Sequence, residues 1–244
     1  MDFPLVSLIV VTYNNLDHTK KVIECIKQQN YPNIEIVVVD GGSNDGTTDY
    51  LASLTYKNLV WISEKDKGIY DAINKGIRLS HGEVIGCCYD FFANDNCIST
   101  IVNTMIENNV DVVHGDLNYV DADGKIVRKW RMGNGSIKSG WMAAHPTLYI
   151  KKSVYDTYGL YKTDYRISAD YELMVRLFAV NKVKLGYINE VLILMDTGGT
   201  STSSFSSYLE GVKEAYRALK ENNINFPLFI TLCRFWRFFL QFFR

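Results

Sequence analysis

Short apolar runs that alternate with helical stretches constrain this chain more than anything else in it. Residues 5–11 (LVSLIVV) and 34–39 (IEIVVV) are nearly all apolar and rich in Val and Ile, so they read as buried strands. Residues 59–62 and 83–88 read as a third and a fourth strand. Between them, residues 16–29 place Leu16, Thr19, Val22, Ile23 and Ile26 at helical spacing, with Asn14 or Asn15 available as a cap. Residues 47–54 and 69–80 also read as helices. No hairpin turn separates these segments. Consecutive strands must then run parallel, with helices covering both faces of the sheet.

The pattern changes after about residue 110. Residues 111–120 and 125–130 flank Asp121-Ala122-Asp123-Gly124 and predict a hairpin. Residues 132–141 read as loop, 147–150 as a strand, 169–180 as a helix and 183–195 as one or two strands. Residues 196–207 are rich in Ser, Thr and Gly and are expected to be mobile. A helix is predicted over 208–221, followed by a separate aromatic and basic segment, 226–244.

Composition narrows the function classes. Charge is balanced, 26 Lys and Arg against 27 Asp and Glu, which argues against a nucleic-acid partner held by a general basic surface. The five cysteines are odd in number and form no C-x-x-C pair, so Cys87 and Cys88 read as reduced core residues and a cytoplasmic location is expected. No secretory signal is expected from residues 1–4, and no run of apolar residues is long enough for a membrane span.

In an open parallel sheet, ligands bind beyond the carboxyl ends of the strands. Thr12, Tyr13, Asn14 and Asn15 follow the first strand, and Asp40 to Thr47 (DGGSNDGT) follow the second. Ser63 to Gly68 (SEKDKG) follow the third, and Tyr89 and Asp90 the fourth. The dinucleotide fingerprint G-x-G-x-x-G and the P-loop are both missing after the first strand. A phosphate ligand must be balanced otherwise, and rim carboxylates suggest a divalent metal.

The segments VSLIVVTYN and IVVVDGGSNDGT strongly resemble the opening of the family 2 glycosyltransferases. EKDKGIYDAINKG resembles that family's third block, and His145-Pro146-Thr147 and Ser168-Ala169-Asp170-Tyr171-Glu172 its acceptor-side motifs. The resemblance covers roughly residues 5 to 195. It implies a GT-A fold, an α/β mixed sheet flanked by helices, and transfer of a sugar from a nucleotide diphosphate with inversion. Residues 1–207 would form the catalytic domain, with a nucleotide-binding half (about 1–110) and an acceptor half (111–207). Residues 208–244 would be a helical appendage. Bacterial members often build O-antigen, capsule or exopolysaccharide, so a UDP-sugar donor and a glycan or polyprenyl-linked acceptor are expected.

Carried over residue by residue, the resemblance places Asp40 on the nucleotide base, where the plain alternative is a strand-end turn acid. Thr12, Tyr13, Asn14 and Ser43 would line the nucleoside pocket, with Asp66 as a second nucleoside contact. Asp45 would touch the donor or form an Asx turn and helix cap. Lys67 would reach a phosphate or sit solvated, and Gly68 would permit close backbone approach at a helix start. The family's Asp-x-Asp is incomplete here: Asp90 is the acid, and Cys88 stands at the first position. Mg²⁺ or Mn²⁺ would bind through Asp90, the diphosphate and water, with His145 as an added ligand or as an acceptor-side group. Trp141 and Tyr171 are also placed on the acceptor side. Asp170 is the expected general base, against the plain reading of a helix-start acid.

Two segments have further roles in this reading. Residues 196–207 would fold over the donor as a lid. In residues 226–244, Thr231, Arg234, Arg237, Gln241 and Arg244 form one polar stripe on a helix otherwise apolar and aromatic. That helix would lie on the inner face of the cytoplasmic membrane, or else pack on the domain or pair with a second subunit as a homo-oligomer. A catalytically inactive binding protein and a nucleotidyltransferase remain as alternative classes.

Overall fold

The computed structural model describes residues 3–197 and 205–240. The four apolar runs fold as β1 (Val6–Thr12), β2 (Ile34–Asp40), β3 (Leu59–Ser63) and β4 (Val84–Cys87). They are joined in turn by α1 (Leu16–Lys27), α2 (Thr47–Ser53) and α3 (Ile69–Leu79). All three pairings are parallel, in the order β3-β2-β1-β4. The chain steps outward from β1 to β3 and then returns to the far side of β1. That reversal opens a crevice at the carboxyl ends of β1 and β4.

Side-chain alternation feeds two cores. Val6, Leu8 and Val10 pack with Val22, Ile23 and Ile26 of α1, while Ile9 and Val37 pack with Ile73 and Ile77 of α3. Both faces of the central strands are dry, which is why these runs are continuous rather than alternating.

The second half extends the sheet. β5 (Phe91–Phe92), β6 (Val112–Val120), β7 (Ile126–Trp130), β8 (Tyr149–Lys151) and β9 (Leu185–Asp196) complete it. The order continues β4-β8-β6-β9-β5, and β8 runs antiparallel to both β4 and β6, so the sheet is mixed. The predicted hairpin forms as β6 and β7, with Leu117 opposite Trp130. Residues 183–195 yield one long strand, β9, parallel to β6.

The helices of this half are α4 (Cys97–Glu107), α5 (Lys152–Tyr158), α6 (Ala169–Met174), α7 (Phe205–Glu221) and α8 (Pro227–Leu240). A π-helical turn, Val175–Val180, prolongs α6. The sequence reading had no element for α4 or α5. α4 packs its apolar stripe on the face of α1, whereas α5 to α8 lie on the face of α3. All five cysteines are free thiols, with Cys87 and Cys88 buried. Among the described residues no helix is long and apolar enough to cross a membrane.

Candidate active site

The turns after β1 and β2 are built by the acids that the sequence marked out. Asp40 is fully buried. Its carboxylate accepts from the Ser43 amide (3.0 Å), the Ser63 hydroxyl (2.5 Å) and the Ser43 hydroxyl. Ser43 Oγ in turn accepts from the Asn14 amide, and Asn14 Oδ1 from the Asn44 amide. Asp45 receives the Leu16 amide on one oxygen and the Thr47 amide and hydroxyl on the other. It therefore caps α1 and α2 together, and the Thr47 hydroxyl leads in holding its pKa below the usual range. Asp40, Ser43, Asn14 and Asp45 thus brace the turns that form the rim.

The open wall of the crevice is formed by other groups. A cleft of about 610 Å³ is lined by Thr12, Tyr13, His18, Gly41, Gly42, Lys65, Asp66 and Tyr89, among others. Tyr13 presents its ring to solvent. A Cβ on Gly41 would lie 2.9 Å from Asp66 Oδ2 and 3.2 Å from the Tyr13 ring, so only glycine lets these two flank the same space. Asp66 uses Oδ1 to accept the Gly68 amide at 2.9 Å, where α3 begins. Lys67 is exposed and its backbone amide donates to Asp71. A second cleft, of about 540 Å³, lies beyond the amino ends of β1 and β4. Its Lys151 and Lys152 are engaged by Asp111 and by the Ser80 carbonyl.

Asp90 follows β4 at the crevice. It is buried, and burial raises its pKa. One oxygen accepts the Asp196 amide at 3.2 Å, which brings the end of β9 alongside. His18 Nε2 sits 2.7 Å from the Tyr89 carbonyl.

A connected polar cluster joins α3 to residues 145–171. Tyr70 donates to the Ile167 carbonyl at 2.6 Å, and its hydroxyl is 3.4 Å from Asp170 Oδ1. The same Asp170 oxygen accepts the Tyr171 amide at 2.8 Å, and among the described residues Oδ2 has no hydrogen-bond partner. Tyr70 stacks on Tyr161, whose hydroxyl meets His145 Nε2 at 2.7 Å. Asn74 holds Tyr161 through both backbone groups. Burial lowers the pKa of His145, with Asp170 acting in the opposite sense.

Two expected acceptor-side residues do not line this space. Trp141 is buried, its indole donating to the Met132 carbonyl and its ring packed on His114. Tyr171 is fully buried beneath Arg234. Both are apolar bodies that the core claims.

Known proteins agree with this geometry. The model for glycosyl transferase family 2 matches residues 7–162. The chain belongs to that family. A PGL/p-HBAD biosynthesis glycosyltransferase of Mycobacterium bovis is 25% identical over 79% of this chain and 77% of its own. An uncharacterized glycosyltransferase of Mycobacterium tuberculosis is 26% identical over 71% and 68%. Among solved structures, Staphylococcus aureus TarS with UDP superposes with a TM-score of 0.68 at 16% identity, over 88% of this chain and 65% of that one. The Pyrobaculum calidifontis mannosyltransferase PcManGT, with GDP-Man and Mn²⁺, superposes at 0.67 and 18%, over 94% and 68%. These two establish the GT-A fold. That TarS structure is of residues 1–349; the chain spans 39% of the longer TarS chain.

For this family 2 chain, the residues expected to hold a metal fit only in part. Asp90 offers a hard oxygen suited to Mg²⁺ or Mn²⁺. Cys88 is soft, and burial keeps its thiol protonated. His145, expected as an added ligand, meets the Tyr161 hydroxyl through Nε2. Among the described residues no group of three acidic, His or Cys side chains converges on one point. Diphosphate and water would have to complete the shell. The lid expected over 196–207 falls mostly on residues outside those described.

Sequence reading missed three contributors. Tyr70 lies inside a recognised motif but earned no role there. Glu214 of α7 accepts the amides of Arg166, Ile167 and Ser168, ahead of Asp170. Arg234 covers Tyr171. No local pattern marks Glu214, and the stripe that contains Arg234 does not reveal its partner, because both partners are far away in the chain.

Proposed function

We propose that this protein is an inverting glycosyltransferase that moves a sugar from a UDP-sugar to a lipid-linked or glycan acceptor in cell-surface polysaccharide synthesis, of the O-antigen or capsule type. The observation that carries the reading is the crevice itself. Tyr13, Gly41 and Asp66 flank its nucleoside end, and Asp170 keeps one oxygen open on the acceptor side. The base and diphosphate of the donor rest against the ends of β1, β2 and β4. Asp170 takes the proton of the acceptor hydroxyl as that oxygen attacks the anomeric carbon, and the nucleoside diphosphate leaves from the opposite face. Tyr70 and the Tyr171 amide hold Asp170 in place. A divalent cation at Asp90 would neutralise charge on the leaving diphosphate.

The proposal extends to location, on the inner face of the cytoplasmic membrane. α8 packs its Thr231, Arg234 and Arg237 toward the domain and turns Leu228, Phe229, Leu232, Phe235 and Trp236 outward. An outward aromatic face on a helix too short to span supports an interfacial position.

UDP, GDP and dTDP should be screened by thermal shift with and without Mn²⁺, and Asp170→Asn compared with wild type in sugar transfer. Expected are a UDP-induced rise in melting temperature in both proteins and a loss of transfer of about 10²–10⁴-fold in the variant. Full transfer by Asp170→Asn overturns the base assignment, and no response to any nucleotide overturns the donor reading.

A further inference from the structure

Two other half-buried arginines are held by carboxylates. Arg176 pairs with buried Glu172 and donates to the carbonyls of Tyr158, Gly159 and Leu160. Arg217 pairs with Asp164 and Glu221. Arg234 of α8 is different. It is half-buried, and among the described residues no carboxylate lies within ion-pair distance of it. A guanidinium carries five N–H donors. The hydrogen bond recorded for this one goes to Met142 Sδ at 3.1 Å, a weak acceptor. Its face lies 4.2 Å above the Tyr171 ring, whose own hydroxyl is buried without a partner.

The position of Arg234 is set by the backbone. Gly140, at φ +75°, lets α8 approach so closely that a Cβ there would lie 2.4 Å from the Arg234 amide. The guanidinium thereby backs two acceptor-side segments. Tyr171 follows Asp170, and Met142 precedes His145 by three residues. The opposite face of the same helix is the exposed apolar one.

A cation with no carboxylate partner among the described residues thus lies on a helix whose opposite face is exposed and apolar, against the ring of the residue that follows the candidate base. A lipid-linked sugar has the same order of parts: an apolar chain, a phosphate or diphosphate, then the sugar hydroxyl that attacks. We propose that Arg234 binds the phosphate of a lipid-linked acceptor, forking two N–H groups onto its oxygens as guanidinium groups do. This rests on the transfer reading above and names its acceptor class.

The test uses the full chain and farnesyl diphosphate, with farnesol, inorganic diphosphate and UDP as companion probes, followed by calorimetry. Farnesyl diphosphate should bind wild type in the presence of saturating UDP, more tightly than inorganic diphosphate, and farnesol should bind weakly. Arg234→Gln should weaken farnesyl diphosphate by about 10-fold to 100-fold, as expected for a charge-assisted hydrogen bond, and leave UDP affinity unchanged. Arg234→Lys, which keeps the charge without the fork, should fall between and guards against misfolding of the Gln variant. Equal binding of farnesyl diphosphate by wild type and Arg234→Gln overturns the proposal. So does its displacement by UDP, which would put it in the donor site. Equal affinity for farnesol, or for inorganic diphosphate, overturns the lipid-phosphate assignment. Failure of UDP to bind, with the Arg234 effect intact, refutes the donor reading and leaves this one standing.

Discussion

Replacing Glu214 by Ala tests whether α7 holds the candidate base in place. One carboxylate accepts three consecutive amides, from Arg166 (2.7 Å), Ile167 (2.9 Å) and Ser168 (2.7 Å). Asp170 is two residues further on. Ser168 is buried and Ile167 half-buried, while Arg166 is exposed, so water readily replaces the lost acceptor for Arg166 alone. A buried donor left unsatisfied costs about 1–3 kcal/mol. Two such donors, partly rescued by entering water, should remove roughly 2–4 kcal/mol on the same scale. In a chain of this size each kcal/mol lowers the melting temperature by about 2–4 °C, so a fall of roughly 5–15 °C is expected. Transfer should fall at least about 10-fold, because small misplacements of a reacting group are costly. UDP affinity, read by titration calorimetry, should not change. Glu214→Gln, which keeps one acceptor oxygen, should fall between. Wild-type melting and wild-type transfer in Glu214→Ala would refute the positioning role, and a parallel loss of UDP affinity would show a general defect instead.

Other perturbations probe separate parts of the molecule. His114 is fully buried, among the described residues neither ring nitrogen has a hydrogen-bond partner, and burial lowers its pKa to about 4 from 6.5. Between those values the unfolded chain takes up a proton that the folded chain refuses, so stability should fall as pH drops, by up to about 1.4 kcal/mol per pH unit. Urea denaturation across that range should show a flatter dependence for His114→Leu than for wild type; identical slopes would refute this. Gly140→Ala should lift α8 from the domain, and trypsin should then cleave at Arg234 and Arg237 faster than in wild type. Asp90→Ala should abolish any enhancement of UDP binding by Mn²⁺ in calorimetry while leaving metal-free binding intact.

The layout of the site was legible in the sequence because strand ends are punctuated. Apolar runs stop at Thr12, Asp40, Ser63 and Cys87, and the polar residues that follow share one rim. The work done by each acid was not legible. Asp40 and Asp45 stand where the motif puts them, yet their oxygens are engaged by Ser43, Ser63, Leu16 and Thr47. Some of those partners are strand-to-strand neighbours, which no local pattern reveals. Glu214 is hidden more deeply, since its three amides precede it by 46 to 48 residues. Of the stripe expected in residues 226–244, Thr231, Arg234 and Arg237 lie on α8, and Gln241 and Arg244 lie outside the described residues. Periodicity tells which residues share a face, but only tertiary packing tells which way that face looks.

That orientation has a practical consequence at the bench. Proteins that cling to membranes through exposed lysines and arginines come off in strong salt, because counterions screen attraction beyond a few ångströms. Here Arg234 lies against Tyr171, and the exposed Arg237 donates to the Ser139 carbonyl, so both guanidinium groups are tied to protein. Most of what faces outward is ring and aliphatic carbon. Under the proposed interfacial position, membrane fractions washed in high salt should therefore retain the protein, and a mild detergent should release it.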